Sequence, residues 1–147
     1  MNERIVLLVE DNPDDIKLTQ RAFNKSKHSE KIILEIVNNG DDALDFLFGR
    51  REYKYRDTQI MPVVILLDLN LPRINGLQLL ERIRDDKRTK LIPVIILTSS
   101  NEEQDIKKAY ALGANSYIRK PVDFKKFRDV AQQMGLYWVV LNEPPPN

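Results

Sequence analysis

The chain of 147 residues contains no cysteine and a single histidine, His28. Without cysteine there can be no disulfide, no thiolate metal site and no cysteine nucleophile; the composition fits a reducing compartment, so we expect a cytoplasmic protein. A lone histidine in the polar stretch NKSKHSEK is typical of a solvated loop. Serine–histidine–aspartate catalysis and histidine-rich metal sites therefore have no support in the sequence.

A strong net charge and long apolar runs are also missing. The formal net charge is +1, so no overall field attracts nucleic acid or an anionic membrane. No apolar run approaches the ~20 residues of a membrane span, and the apolar run before Glu10 is too short for a signal peptide. The basic-aromatic stretch at residues 49–57 (GRREYKYRD) indicates a solvated loop rather than an RNA site. We therefore expect neither a membrane nor a nucleic-acid partner.

Short apolar runs alternate with helical patterns along the chain. Helix signals include Asn12 followed by Pro13, Gly49 after an apolar helix, a cap at Ser100 or Asn101, and Asp123 before another apolar face. Strand followed by helix, repeated, predicts a parallel α/β sheet with helices on both faces. The predicted strands are residues 5–9, 32–37, 63–67, 94–97 and 116–118.

Polar side chains follow four of the five predicted strands. In open α/β sheets, ligands bind outside the carboxyl ends of the strands, where these residues should meet. Clustered carboxylates prefer a hard cation such as Mg²⁺, and a lysine with a threonine suits a phosphoryl group. The set therefore predicts a site for a Mg²⁺-bound phosphoryl group. Its members are Glu10, Asp11, Asp68, Thr98, Ser99, Arg119 and Lys120.

Asp68 lies at the tip of the central apolar strand, where a carboxylate can act as a nucleophile and form an acyl phosphate. Nucleotide binding is disfavoured, because the sequence has neither GxxxxGK[ST] nor GxGxxG and acids follow the first strand. Asp14 and Asp15 fall in the first turn of the first predicted helix, where the helix dipole favours acids. We therefore predict that these two acids take no part in the site.

These motifs resemble the receiver domain of two-component response regulators, over nearly the whole chain to about residue 135. The similarity rests on Glu10-Asp11, on LLDLNLPRINGLQLL (66–80), on Thr98-Ser99 and on Lys120-Pro121. It implies a flavodoxin-like fold with five parallel strands in the order 2-1-3-4-5. It also implies a signalling module that accepts a phosphoryl group from a histidine kinase and can hydrolyse it, but is not a turnover enzyme.

The resemblance also assigns a role to each matching position. Carried over, Mg²⁺ would bind Glu10, Asp11, Asp68 and the backbone carbonyl of Asn70, and Asp68 would accept the phosphoryl group. Thr98 and Lys120 would contact phosphoryl oxygens, and Tyr117 would be the aromatic switch that turns inward. The Lys120–Pro121 bond would be cis.

Two alternatives remain. Haloacid-dehalogenase-like phosphatases also use a nucleophilic aspartate but need a second aspartate two positions later, where this chain has Asn70. A binding or adaptor module with a vestigial pocket would work without phosphorylation.

The end of the chain predicts an interface. A receiver accounts for residues 1–141, including an extended last helix, and residues 142–147 form a proline-rich tail. Output is then by protein contact, and the long loop at 49–62 with the extended helix resembles the stand-alone regulators that partner cyanobacterial phytochromes. The apolar stretch LYWVVL (136–141) predicts a homodimer through Tyr137, Trp138 and Leu141, with the fourth helix and fifth strand nearby.

Overall fold

A computed structural model describes residues 4–121 and 123–146. Five parallel strands form one sheet in the order β2-β1-β3-β4-β5, which confirms the predicted topology. The predicted domain and tail include residues 1–3, 122 and 147, which lie outside the described residues. The strands are β1 (Arg4–Val9), β2 (Ile32–Val37), β3 (Val64–Leu67), β4 (Val94–Thr98) and β5 (Ser116–Arg119).

Five α-helices connect and follow these strands. They are α1 (Pro13–Asn24), α2 (Gly40–Phe48), α3 (Gly76–Asp85), α4 (Glu103–Ala111) and α5 (Phe124–Met134). Three predicted helix ends are confirmed: Asn12 caps α1, Gly49 ends α2 in the left-handed region at φ 66°, and Asp123 caps α5. Among the described residues, no helix is both long enough and apolar enough to cross a membrane.

The helices divide between the two faces of the sheet because strand side chains alternate in direction. Leu7 and Val9 of β1 pack in a core with α2, α3 and α4, whereas Val6 and Leu8 pack in a second core with α1 and α5. Strand β3 is buried at every residue, as a central strand covered on both faces should be.

The predicted cap of α4 is wrong. Its N-terminal flank is Glu102, which makes no side-chain capping bond, and the helix begins at Glu103. Ser100 instead donates its hydroxyl to Asp105 Oδ2 over 2.7 Å. The Ser100 hydroxyl thus bonds to a side chain within α4 and does not cap the helix.

The apolar stretch after α5 continues as a π-helical segment, Gly135–Leu141. Val139 is buried, and Trp138 is half-buried against the core shared by α1 and α5. Leu136, Tyr137 and Leu141 remain exposed. The stretch therefore divides between a face that packs on its own domain and a face that is open to solvent.

Candidate phosphoryl and metal site

The carboxyl ends of the strands bring four of the predicted polar residues together, whereas Ser99 and Arg119 are exposed. Glu10 and Asp68 directly follow β1 and β3, Thr98 is the last residue of β4, and Lys120 directly follows β5. Backbone hydrogen bonds continue the parallel pairing past the strand ends, from Asp68 N to Val9 O at 3.1 Å and from Lys120 N to Thr98 O at 2.8 Å. These bonds fix where each side chain leaves the sheet.

The ammonium group of Lys120 is at the centre of the cluster. Its Nζ donates to Glu10 Oε1 at 2.5 Å, to Asp68 Oδ2 at 3.0 Å and to Asp15 Oδ2 at 2.7 Å. Glu10, Asp68 and Lys120 are all nearly inaccessible to solvent. A lysine ammonium has three N–H donors, so the two carboxylates that follow β1 and β3 and the one from α1 satisfy it completely.

The other oxygen of Asp68 is held by neutral donors. The buried hydroxyl of Thr98 donates to Asp68 Oδ1 at 2.8 Å, and the backbone N–H of Asn70 donates to the same oxygen at 3.2 Å. Both oxygens of Asp68 are thus hydrogen-bonded, and their orientation is fixed by three different elements. Such an arrangement preorganises a carboxylate for chemistry at one position.

The start of α3 approaches the segment after Asp68 closely. A Cβ atom built on Gly76 would collide with the Asp68 carbonyl oxygen and would lie 2.6 Å from Leu69 Cα. The N–H of Gly76 donates to Leu69 O at 3.0 Å. Only glycine allows this approach, so Gly76 sets the backbone position of Asp68.

Burial and neighbouring charges separate the pKa values of the site. Burial raises the pKa of Glu10 to about 7, since the opposing hydrogen bond from Lys120 is smaller and the Asp68 charge adds to the rise. Burial also acts to raise the pKa of Asp68, but the Glu10, Thr98 and Lys120 groups outweigh it and the pKa of Asp68 is lowered. The pKa of Lys120 is raised despite burial, because its carboxylate partners favour the charged form. The pKa values of the two carboxyl groups are thus shifted in opposite directions, and the site favours the charged form of Asp68.

Three acids at this edge have a geometry that suits a cation. Glu10, Asp11 and Asp68 each offer a carboxylate oxygen, and these oxygens lie within 4.8 Å of one another. Oxygen atoms on one Mg²⁺ ion at about 2.0–2.1 Å are at most about 4.2 Å apart, so a small closure brings all three into its shell. Asp11 is exposed, which leaves positions open to water and to a phosphoryl oxygen. The residues fit a hard divalent cation.

Tyr117 lies beside this site on β5. Its ring is half-buried against the core of α2, α3 and α4, and its hydroxyl donates to Ser100 O at 3.0 Å. Burial raises the pKa of Tyr117, so the phenol is a neutral donor in this contact. The tyrosine is thus linked to the β4–α4 loop, which begins directly after Thr98.

Two sequence expectations about this region are wrong. Asp15 does contact the site, through Lys120, because a residue in the first turn of α1 faces the end of β5. The Lys120–Pro121 bond is trans, like every peptide bond of the described residues. The trans form of an X–Pro bond is favoured by about 0.5–1 kcal/mol unless the surroundings impose the other isomer.

Comparison with known proteins agrees with this geometry. The sequence matches the response regulator receiver domain family over residues 6–132. It is 34% identical over 136 residues to the response regulator Rcp1 of Synechocystis sp., covering 92% of this chain and 89% of Rcp1. It is also 34% identical over 141 residues to the probable methanogenesis regulatory protein FilR2 of Methanothrix harundinacea, covering 96% and 87% of the two chains.

Solved structures show the same similarity. The Mn²⁺-bound form of Rcp1 matches with a TM-score of 0.85 and 33% identity, covering 97% of this chain and 99% of that one. The phosphorylated cyanobacterial phytochrome response regulator RcpA matches with a TM-score of 0.86, 33% identity and the same coverage. The fold, the acidic site at the ends of the strands and these matches show that the chain belongs to the response regulator receiver domain family.

Proposed function

We propose that this chain is a response regulator that accepts a phosphoryl group on Asp68 from the phosphohistidine of a sensor histidine kinase. The observation that carries the proposal is the setting of Asp68: it is buried and is bonded through one oxygen to Thr98 and through the other to Lys120. A carboxylate held only for structure has no need of a lysine, a threonine and two further acids at one point.

In the proposed reaction, an oxygen of Asp68 attacks the phosphorus of the donor. The O–P bond forms as the N–P bond of the phosphohistidine breaks, and the electron pair of that bond stays with the imidazole nitrogen. Lys120 and Thr98 would turn their donors from the Asp68 oxygens to phosphoryl oxygens, where the negative charge accumulates. Bound at Glu10, Asp11, Asp68 and the Asn70 carbonyl, Mg²⁺ would supply a Lewis acid that neutralises this charge.

The consequence for the rest of the domain is a shift between two states. When Thr98 is drawn to the phosphoryl group, space opens beside it for the ring of Tyr117, and the Tyr117–Ser100 bond is exchanged for an inward position. The surface of α4 and β5 changes with it. Receiver domains act as signalling modules, so the output is a protein contact, not the release of a product.

Two relatives support a proposal about the kinase and the metal. Rcp1 has been solved with Mn²⁺ bound, and RcpA is described as a cyanobacterial phytochrome response regulator. Since this chain matches both over nearly their full length, we assign it a phytochrome-type histidine kinase as its donor. Mg²⁺ is the cation we assign to the site, because all the proposed ligands are oxygen atoms.

Phosphotransfer from a small donor tests the proposal. Acetyl phosphate with Mg²⁺ should add one phosphoryl group to the protein, seen by intact-mass spectrometry, and addition should fail without Mg²⁺. Asp68→Asn should not be labelled, whereas Asp45→Asn, which changes a mostly buried aspartate on α2, should be labelled like the wild type. Labelling retained in Asp68→Asn would refute the assignment. An unlabelled wild type that also fails to bind Mg²⁺ would favour a phosphorylation-independent adaptor.

We also propose that residues 1–141 act as one receiver domain and that it forms a homodimer. The exposed side of the π-helical segment, with Tyr137 and Leu141, would form the centre of the contact. Trp138 would support it, because its ring packs edge-on against that of Tyr137 with the ring centroids 4.9 Å apart. Exposed apolar side chains grouped on one face mark such interfaces. Tyr110 of α4, also exposed, would extend the contact towards the α4–β5 face.

A further inference from the structure

Asp15 contacts the site but has no role in the phosphotransfer proposed above. Its Oδ2 accepts a hydrogen bond from Lys120 Nζ at 2.7 Å, close to the 2.5 Å from Lys120 to Glu10. With Glu10 and Asp68 it occupies all three donors of the ammonium group. A phosphoryl oxygen can therefore bind Lys120 only in place of one of these three carboxylates.

The backbone of Asp15 is held in place by hydrogen bonds on both sides. Its backbone N–H donates to the Asn12 side chain at 3.1 Å, and its carbonyl accepts from the buried Thr19 hydroxyl at 2.7 Å. The side chain is 31% exposed, whereas that of Lys120 is 9% exposed, so Asp15 lies at the solvent side of the lysine. It is thus an outer partner on a rigid helix start, in contrast to the buried Glu10 and Asp68.

We propose that Asp15 is a positioning residue that holds the Lys120 ammonium towards α1 and so sets the balance between cation and phosphoryl binding at the site. The proposal rests on the proposed function, since it concerns the lysine that would bind the phosphoryl group. Release of the Asp15 contact frees one N–H of Lys120 for the incoming anion.

The physical consequence has opposite signs for the two ligands. The negative charge of Asp15 offsets the positive charge of Lys120, and this favours a divalent cation among the acids and disfavours a phosphoryl group. Replacing Asp15 by asparagine removes the charge with almost no change in shape. A merely structural residue would change both affinities in the same direction or leave both unchanged.

The experiment uses the full chain and two probes. Mg²⁺ alone is titrated by calorimetry, and beryllofluoride, an analogue of the phosphoryl group, is titrated by ¹⁹F NMR at saturating Mg²⁺. For Asp15→Asn we expect Mg²⁺ to bind about two- to fivefold more weakly and beryllofluoride about three- to tenfold more tightly than for the wild type.

Two further variants separate the effect of the Asp15 charge from the effect of side-chain shape and from that of the protein's net charge. Asp14→Asn makes the same substitution one residue earlier in the same turn, where the side chain is exposed; both affinities should stay within about twofold of the wild type, because exposed charges are screened. Asp15→Glu keeps the charge and should also stay close to the wild type. Circular dichroism verifies that each variant is folded.

The outcomes are distinct. A wild type that binds beryllofluoride, with Asp15→Asn showing the same affinities or both affinities weakened, overturns the positioning role and leaves the proposed function standing. An equal shift in Asp14→Asn also overturns it, because a general charge effect would then suffice. A wild type that binds neither probe overturns the proposed function and this inference together.

Discussion

Thr98 and Asp68 are joined by a buried hydrogen bond, in which the threonine hydroxyl donates to Asp68 Oδ1 over 2.8 Å. The same threonine ends β4, and its backbone carbonyl accepts from Lys120 N. Thr98 therefore contacts the proposed phosphoacceptor through its side chain and the end of β5 through its backbone. A change at Asp68 can reach Tyr117, three residues before Lys120 on the same strand end, through this one residue.

Loss of the Thr98 hydroxyl should uncouple the site from Tyr117. Thr98→Val keeps the shape but removes a hydrogen bond to a charged group, worth about 1.5–3 kcal/mol, so beryllofluoride should bind roughly ten- to a hundredfold more weakly. At saturating beryllofluoride, the ¹⁹F signal of fluorotyrosine at position 117 should keep its unliganded shift. The signal is assigned with Tyr117→Phe, since the chain has five tyrosines.

Thr98→Ser serves as the matched control, because it retains the hydroxyl and loses only a methyl group. Its Tyr117 signal should shift on beryllofluoride binding as in the wild type. A full shift of the Tyr117 signal in Thr98→Val would show that the tyrosine responds by another route.

Gly76→Ala should disturb the position of Asp68. The added methyl group meets the Asp68 carbonyl oxygen and Leu69 Cα, which are backbone atoms that cannot rotate away. Overpacking of this kind costs about 1–3 kcal/mol, so we expect a lower urea midpoint and slower labelling by acetyl phosphate.

Gly135→Ala is the control for this substitution. Its added Cβ would meet only Ile32 Cδ1, at 3.4 Å, and the residue already has right-handed helical angles. Alanine is favoured over glycine in a helix by up to about 1 kcal/mol, so stability should stay constant or rise. Equal losses in the two variants would contradict a special role for the close approach at Gly76.

Arg84 should contribute more to stability than its position on a surface helix suggests. Its guanidinium donates to Gly113 O at 3.0 and 2.8 Å, to Lys90 O at 2.9 Å and to Ile92 O at 2.8 Å. It thus joins α3 to the α3–β4 loop and to the α4–β5 loop. Arg84→Lys keeps the charge but cannot reach all these carbonyls, and one or two unsatisfied acceptors should cost about 2–4 kcal/mol in urea unfolding.

Arg82→Lys makes the same change two residues earlier, on the exposed side of α3. Surface substitutions of this kind usually stay within about 0.5 kcal/mol. If Arg84→Lys were as mild as Arg82→Lys, the carbonyl contacts would contribute little to the folded state.

The sheet was predictable because the sequence places uninterrupted apolar runs in the central strands and polar groups directly after them. In a parallel sheet all carboxyl ends lie at the same edge. The proximity of Glu10, Asp68, Thr98 and Lys120 therefore follows from local patterns. The contact of Asp15 with Lys120 was not predictable in this way. It depends on the direction of the long Lys120 side chain, which reaches an element more than a hundred residues away in the chain. In addition, the helix dipole by itself explains an acid at position 15, so the local sequence gives no sign of a partner.

The end of the chain shows the same limit. The run 136–141 is apolar at every position, so no periodicity indicates which side packs on the domain. In the structure a π-helical turn rotates Val139 and Trp138 inward, and this places Leu141 outward. Side-chain orientation in such a segment depends on the backbone helix type, which composition does not reveal.

Leu141→Glu should therefore dissociate the proposed homodimer without unfolding the protein. Leu141 is 63% exposed, so a charge there costs little in the monomer but would be buried without a partner in the dimer. Leu91→Glu is the matched control: Leu91 is 64% exposed and lies between α3 and β4, at the opposite end of the strands from the candidate site. Sedimentation velocity, run with and without beryllofluoride and Mg²⁺, should show a dimer for the wild type and Leu91→Glu and a monomer for Leu141→Glu. A wild type that stays monomeric at high micromolar concentration under both conditions would exclude this interface, and with it the role of Tyr137 at its centre.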